Sequence, residues 1–355
     1  MPRTRTLVLG LVLSVAVLPA CGRGTLRLSP LADVPACRTH VSRVSSVTWV
    51  EAPGTSERSR DWCDTVGPVY RGTFAAHRDP NVARDAVVVS WNVDVGAGDV
   101  EQFVRTIRDE EHAAGRGKPD LILLLQEVYR AGADVPATVR AASVVPSRIA
   151  RGARAGRDVE RLAQALGMNA LYVPSMRNGV GAPREDRGNA ILSTLPLEDE
   201  TAIELPLEHQ RRVAVGAVVR IGTMPVFVTS VHFDTRRPWF RGSIFAGPAA
   251  RHRQARALID ALAAARGGIP AIVAGDFNTL AGAREPAIAT IQRRFPLVSC
   301  GNPLTHQFNL QLDYVFASDA ALVSACDRRA SRFGSDHHPL VARLRAEAVV
   351  TSAEP

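Results

Sequence analysis

Ala271-Ile272-Val273-Ala274 runs without a break into Gly275-Asp276-Phe277-Asn278. A short apolar run bounded by polar residues reads as a strand buried on both faces. Its far end then delivers a carboxylate and a carboxamide. The pattern recurs outward along the chain. Ala86–Ser90 runs into Trp91-Asn92, Leu121–Leu125 into Gln126-Glu127, and Val226–Val231 into His232. Near the C-terminus stands Ser335-Asp336-His337-His338-Pro339.

Between these stretches strands and helices mix. Val100, Phe103, Val104 and Ile107 recur at helical spacing, with Asp99 and Gln102 placed to cap the start. Val159, Leu162, Ala163 and Leu166 repeat that spacing, and Gly167 is set to stop the helix. Ala255, Leu258, Ile259 and Leu262 mark a third helix. Further strands are expected at Asn189–Leu192, Val213–Ile221, Pro225–Val231, Leu312–Phe316 and Pro339–Leu344. Runs of adjacent strands with interspersed helices fit two packed sheets flanked by helices better than a simple alternating βαβ fold.

Polar groups at the ends of buried strands are costly unless they share a partner. Glu127, Asp276, Asp313 and Asp336 would repel one another if gathered without a cation. Oxygen ligands with no cysteine among them point to a hard ion, Mg²⁺ first and Mn²⁺ or Ca²⁺ next.

The ordered set resembles the endonuclease/exonuclease/phosphatase superfamily, the deoxyribonuclease-I-like enzymes. The motifs that carry the resemblance are Trp91-Asn92, Gln126-Glu127, Gly188-Asn189-Ala190-Ile191-Leu192-Ser193, His232, Gly275-Asp276-Phe277-Asn278, Leu312-Asp313-Tyr314-Val315-Phe316 and Ser335-Asp336-His337. Taken singly each is an ordinary turn, cap or strand-edge residue; the order along the chain is what is specific. The resemblance implies an α/β fold, a four-layer α-β-β-α sandwich of two mixed sheets between helices. It also implies metal-assisted hydrolysis of a phosphate ester.

The resemblance assigns Asn92, Glu127 and Asp336 to the metal. It assigns Asp276 and Asn278 to the attacking water, and His337, oriented by Asp313, to catalysis. Either Asp276 or His337 is the base. His232 matches a position that stabilises the phosphorane or protonates the leaving oxygen. Arg177, Asn178, Arg187 and Asn189 are candidates for the substrate pocket, since a guanidinium binds phosphate through paired hydrogen bonds. The segment Arg236–Phe245 interleaves arginine with aromatic residues, suited to stacked bases or to a lipid interface. Histidines outside the motifs, His306 among them, are expected on the surface.

The chain has 355 residues, 46% of them hydrophobic, and a formal net charge of +8 carried almost entirely by arginine. That length suits one large domain or two small ones. A basic surface favours polyanions such as nucleic acid or anionic lipid headgroups, without specifying the fold. Arg3 and Arg5 precede an apolar run from Leu7 to Leu18, short for a bilayer span and shaped like an export signal. It ends in Leu18-Pro19-Ala20-Cys21, which resembles a bacterial lipobox with Cys21 as the lipidated residue.

The expected organisation is a signal peptide over 1–20, an N-terminal extension over 21–84, a catalytic domain over 85–346 and a tail over 347–355. The enzyme is accordingly expected to be exported and lipid-anchored in the cell envelope. Export makes disulfides plausible among Cys37, Cys63, Cys300 and Cys326. Proximity favours Cys37 with Cys63 and Cys300 with Cys326, other pairings remaining open. The expected substrate is a phosphodiester, in nucleic acid or alternatively in a phospholipid headgroup. A binding protein that has kept the fold without catalysis is the rival.

Overall fold

The computed structural model describes residues 27–29, 47–51, 61–76, 85–137, 144–145, 156–180, 184–235 and 246–345. In chain order the first elements are β1 (Arg27–Ser29), β2 (Thr48–Glu51), β3 (Tyr70–Gly72), β4 (Asp85–Asn92), α1 (Val100–Ala113) and β5 (Asp120–Ala131). Next come β6 (Val144–Val145), α2 (Val159–Leu166), β7 (Asn169–Asn178), β8 (Glu185–Ser193), β9 (Glu198–Glu204), β10 (Val213–Ile221) and β11 (Met224–His232). The remainder are α3 (Ala246–Ala265), β12 (Ala271–Asp276), α4 (Pro286–Gln292), β13 (Leu297–Val298), β14 (Asp313–Ala317), β15 (Val323–Arg328) and β16 (Leu340–Arg345).

The strands form two sheets. One has the order β1-β2-β9-β10-β11-β12-β14-β13, and the other β15-β16-β4-β5-β8-β7-β3, with β6 paired to β7. Both are mixed: β11 and β12 run parallel in the first, β4 and β5 in the second.

Strand β4 shows why the run Ala86–Val89 is apolar at successive positions. Ala86 and Val88 face the core between the sheets, with Ile122, Leu124, Val228, Ile272 and Val315. Val87, Val89 and Trp91 face the opposite way, against Phe103, Ile107 and Leu162 of α1 and α2. The other sheet buries its outer face, including Phe227, Val231 and Phe316, against Leu258, Leu262 and Ile288 of α3 and α4. Side chains alternate across a strand, so a strand covered on both sides has no polar face to show. The result is the four-layer α-β-β-α sandwich.

The helix signals act locally as expected. The Asp99 carboxylate accepts from the Gln102 amide at 2.8 Å and starts α1. Asp158 caps α2 in the same way, and Gly167, at φ 64°, ends it.

Several elements are not evident from the sequence. β9 (Glu198-Asp199-Glu200-Thr201-Ala202-Ile203-Glu204) is too acidic to read as a strand, yet Glu200 and Glu204 are buried. Glu200 is paired with Arg71, and Glu204 with Arg211 at 2.6 Å. β7 contains Pro174, which argues against a strand; a register shift between Pro174 and Met176 accommodates it. β15 is an edge strand whose residues are mostly exposed or half-buried. Within the stretch read as an extension, β2 pairs parallel with β9 and β3 antiparallel with β7, so both sheets gain strands from it. Trp49 of β2 joins the inter-sheet core.

Cys300 and Cys326 form a disulfide. Cys63 is also disulfide-bonded; Cys37, the partner expected for it, lies outside the described residues, as do Cys21 and the segment 236–245. Among the described residues no helix is long and apolar enough to cross a membrane.

Candidate active site

The register of the first sheet places three polar residues side by side. His232 ends β11 opposite Asp276 at the end of β12, and Asp276 lies opposite Asp313 at the start of β14. Gly275 makes the close approach possible. A Cβ there would stand 1.9 Å from the carbonyl oxygen of Val231, and its φ is 154°. Phe277 then packs edge-on against Phe233, Tyr314 and Phe316, which anchors the turn after Asp276.

The Asp276 carboxylate is fixed by two donors. Its Oδ1 accepts from the Asn278 amide at 2.8 Å, and its Oδ2 from Nδ2 of Asn92 at 3.0 Å. Asn278 adopts φ 51°, and its Nδ2 donates to the Phe233 carbonyl at 3.0 Å. Burial raises the Asp276 pKa to about 6, against the opposing influence of His337.

The second sheet supplies the facing groups. Asn92 ends β4, and its Oδ1 accepts from the Asp94 amide at 3.0 Å. The β5–β8 register shifts between Leu125 and Val128, and within that bulge Glu127 has φ 52°. Bulges re-aim a side chain in this way. Glu127 accepts from Nη1 of Arg187 at 3.3 Å, and its Oε1 lies 3.9 Å from Nε2 of His232. Its neighbour Gln126 donates to Oγ of Ser230 on β11 at 3.0 Å and ties the two sheets beneath the site.

The loop before β16 closes the arrangement. Ser335 Oγ donates to the Asn92 carbonyl at 2.7 Å and accepts from the His337 amide at 3.0 Å. Trp91 Nε1 donates to the His337 carbonyl at 3.0 Å. His337 then meets Asp313 Oδ2 through Nδ1 at 2.7 Å. Its Nε2 lies 3.8 Å from Asp276 Oδ2 and 3.8 Å from Asp336 Oδ1. Burial by itself would lower the His337 pKa. The carboxylates of Asp313, Asp276 and Asp336 outweigh it and hold the pKa up at about 10.

Two residues at this site carry no motif. His306, expected on the surface, instead lies with Nε2 3.4 Å from Asp336 Oδ2 and its ring edge-on to His337. Burial works to raise the Asp336 pKa, but the hydrogen bond from His306 and the charge of His337 keep it low. Thr305 beside it accepts from the amides of Leu312 and Asp313, so this loop also seats Asp313. Arg212 is the second, with Nη1 3.0 Å from Nδ1 of His232. A weak signal exists for Arg212, a charged residue abutting the apolar run of β10. None exists for His306.

Of the four residues considered for the substrate pocket, Arg187 stands in the site, against Glu127. Asn189 donates to the Val213 carbonyl at 2.7 Å and links β8 to β10 of the other sheet. Arg177 donates to the carbonyls of Gly179 and Pro136. Asn178 donates to Glu185. These contacts belong to the framework.

The donor set suits a divalent cation. Ligand atoms of Asp276, Asp313 and His337, and those of His306, Asp336 and His337, lie within 4.8 Å of one another in each group. Glu127 joins the same pocket through His232, whose Nε2 is 3.4 Å from Asp276 Oδ2. Four carboxylates so placed need compensating charge, and their oxygens match a hard ion.

Fold and donor set together place a candidate divalent-metal site at the strand ends of an α-β-β-α sandwich. Residues 89–337 match the model of the Endonuclease/Exonuclease/phosphatase family. An endonuclease/exonuclease/phosphatase family protein from Leptotrichia buccalis C-1013-b superposes with a TM-score of 0.51 at 14% identity, over 73% of this chain and 99% of that one. The human Nocturnin catalytic domain with bound sulfate gives 0.48 at 20% identity, over 76% and 98%. The endonuclease/exonuclease/phosphatase from Bacteroides vulgatus gives 0.49 at 17%, over 74% and 98%. These are likenesses of fold. No curated protein matches the chain significantly. The chain belongs to the Endonuclease/Exonuclease/phosphatase family and is a metal-dependent phosphoric ester hydrolase.

Proposed function

We propose that this enzyme is a Mg²⁺-dependent nuclease that hydrolyses phosphodiesters outside the cytoplasm, held to a membrane by a lipid on Cys21. The observation that carries the catalytic reading is the position of the His337 imidazole. Asp313 holds its Nδ1 at 2.7 Å, while Nε2 stands 3.8 Å from both Asp276 and Asp336.

Asn92, Glu127 and Asp336 are the residues that would hold the ion. When bound, it supplies positive charge to a non-bridging phosphoryl oxygen and to the leaving oxygen. The protein groups do the rest. Asp276, fixed by Asn278 and Asn92, orients a water for attack on phosphorus. Asp313 fixes the orientation of His337 and favours its charged form, which stabilises negative charge gathering on the phosphoryl group. Arg187 balances Glu127 at the pocket wall. Asn278 shapes the turn that presents Asp276.

The net charge, +8 over the whole chain and still positive without Arg3 and Arg5 of the signal segment, supports nucleic acid as the substrate. The apolar run ending at Cys21 supports export and anchoring. One assay tests the substrate. The chain without residues 1–21 is offered plasmid DNA, RNA, sphingomyelin and phosphoinositides, with and without EDTA. EDTA-sensitive cleavage of nucleic acid is expected. Cleavage of lipid alone would replace the nuclease reading with a phospholipid one, and no cleavage by the Mg²⁺-loaded protein would favour a binding role. For the anchor, Cys21→Ala is expected to release the protein from membranes; retention there would refute it.

A further inference from the structure

Two of the pocket's histidines, His337 and His232, have opposite partners at Nδ1. His337 faces a carboxylate there, that of Asp313. His232 faces a guanidinium: Nη1 of Arg212 lies 3.0 Å from its Nδ1, with both residues buried. A guanidinium has five N–H donors and no acceptor. The contact therefore requires a lone pair on Nδ1 of His232, which places the ring's proton on Nε2. An imidazolium would turn one N–H against another and set two buried cations in contact.

We infer that Arg212 is a positioning residue that locks His232 in the tautomer protonated at Nε2. The ring then serves as a fixed hydrogen-bond donor to a phosphoryl oxygen rather than as a proton carrier. The surroundings agree at each end of the contact. Nε2 of His232 is directed toward acceptors, 3.4 Å from Asp276 Oδ2 and 3.9 Å from Glu127 Oε1. Arg212 itself is held in place. Its Nη2 donates to Gln210 Oε1 at 3.0 Å, and the amides of His209 and Gln210 both donate to Asp234 Oδ2 at 2.9 Å. Asp234 follows His232 by two residues, and its own amide donates to Gln254 at 2.9 Å. The charged groups facing Arg212 are Asp234, Glu127 and Asp276, opposed by Arg187. A donor fixed in advance needs no reorganisation as charge develops on the phosphoryl group.

The role in catalysis rests on the proposed phosphoesterase reading; the tautomer does not. The tautomer is tested by long-range ¹H–¹⁵N spectra of the ring nitrogens in the histidine-labelled enzyme, with and without Mg²⁺. The His232 signals are assigned by their loss in His232→Gln. One unprotonated nitrogen, at Nδ1, is expected. A proton on Nδ1, or on both nitrogens, would overturn the inference even in a protein that shows no activity.

The coupling is tested on turnover. Arg212→Met is expected to lower kcat about 10²-fold, with KM changed far less. In the His232→Gln background the same change is expected to cost under about 2-fold, as for residues that act as a unit. Independent, multiplying effects would show that Arg212 acts elsewhere. Should Arg212→Met fail to fold, Arg212→Lys keeps a donor and is expected to retain both the tautomer and most of kcat. A folded Arg212→Lys enzyme with the proton moved to Nδ1 and kcat unchanged would refute the role.

Discussion

Asp313 and His337 meet at 2.7 Å although 24 residues separate them in the chain. Asp313 begins β14 in one sheet, whereas His337 precedes β16 in the other. The contact therefore spans the sandwich, and anything that slips one sheet past the other breaks it. His337→Ala is expected to lower kcat by about 10³-fold or more, and Asp313→Asn by about 10²-fold or more. The double variant should be little worse than His337→Ala alone, because the carboxylate acts through the ring. Single-turnover rates of the three variants, with circular dichroism to verify the fold, check this.

Metal binding at the same site is expected to couple to stability. Glu127, Asp276, Asp313 and Asp336 repel one another across the pocket, and a bound cation relieves that repulsion. Mg²⁺ is expected to raise the Tm, by an amount equivalent to about 2.7 kcal/mol at one hundred times its Kd. EDTA should reverse the gain and abolish turnover. Asp336→Asn and Glu127→Gln should each lose most of the Mg²⁺-dependent shift, measured against each variant's own metal-free Tm. Thermal melts over a Mg²⁺ titration measure it.

Gly275 sets how closely β11 and β12 approach. A methyl group there would stand 1.9 Å from the Val231 carbonyl oxygen, and the backbone has no room to yield without moving Asp276. Gly275→Ala is expected to destabilise the protein by about 3 kcal/mol or more and to impair turnover in whatever remains folded. Urea unfolding of the variant beside Gly268→Ala, where nothing lies within 4 Å, separates the steric cost from that of a positive φ alone.

Glu111 governs part of the acid limb of stability. Hydrogen bonds from Arg116 and then Arg343 lower its pKa to about 2, against the effect of burial. A carboxyl depressed in the folded state contributes stability above its unfolded pKa of about 4.3 and loses it as pH falls toward 2. Glu111→Gln should destabilise the protein by about 1–3 kcal/mol at pH 7, nearer the lower figure because the Arg116 partner is exposed to solvent screening. The gap between parent and variant should close between about pH 5 and 2. Urea midpoints measured across that range check the sign.

Much of the scaffold is legible in the chain. β4, β5 and β12 are apolar at successive positions because both faces are covered, and continuous runs such as Val87-Val88-Val89 state that directly. β9 is hidden for the opposite reason. Its glutamates look exposed until Arg71 and Arg211, from other parts of the chain, neutralise them. Pro174 hides β7, because the register shift that tolerates it is a property of the paired strands.

By itself the sequence determined which strands are buried, which polar groups stand at their ends, and that oxygen and imidazole groups of this kind suit a hard cation. Those are consequences of local pattern, since burial and side-chain alternation act on neighbours along the strand. Only the tertiary structure decided that His306 lies against Asp336, that Arg212 faces Nδ1 of His232 while carboxylates face its Nε2, and that Arg177 and Asn178 turn to the framework. Such contacts depend on the register between strands and on where loops from opposite sheets cross. A hydrogen bond made or lost over an ångström is set by that alignment and by no spacing along the chain.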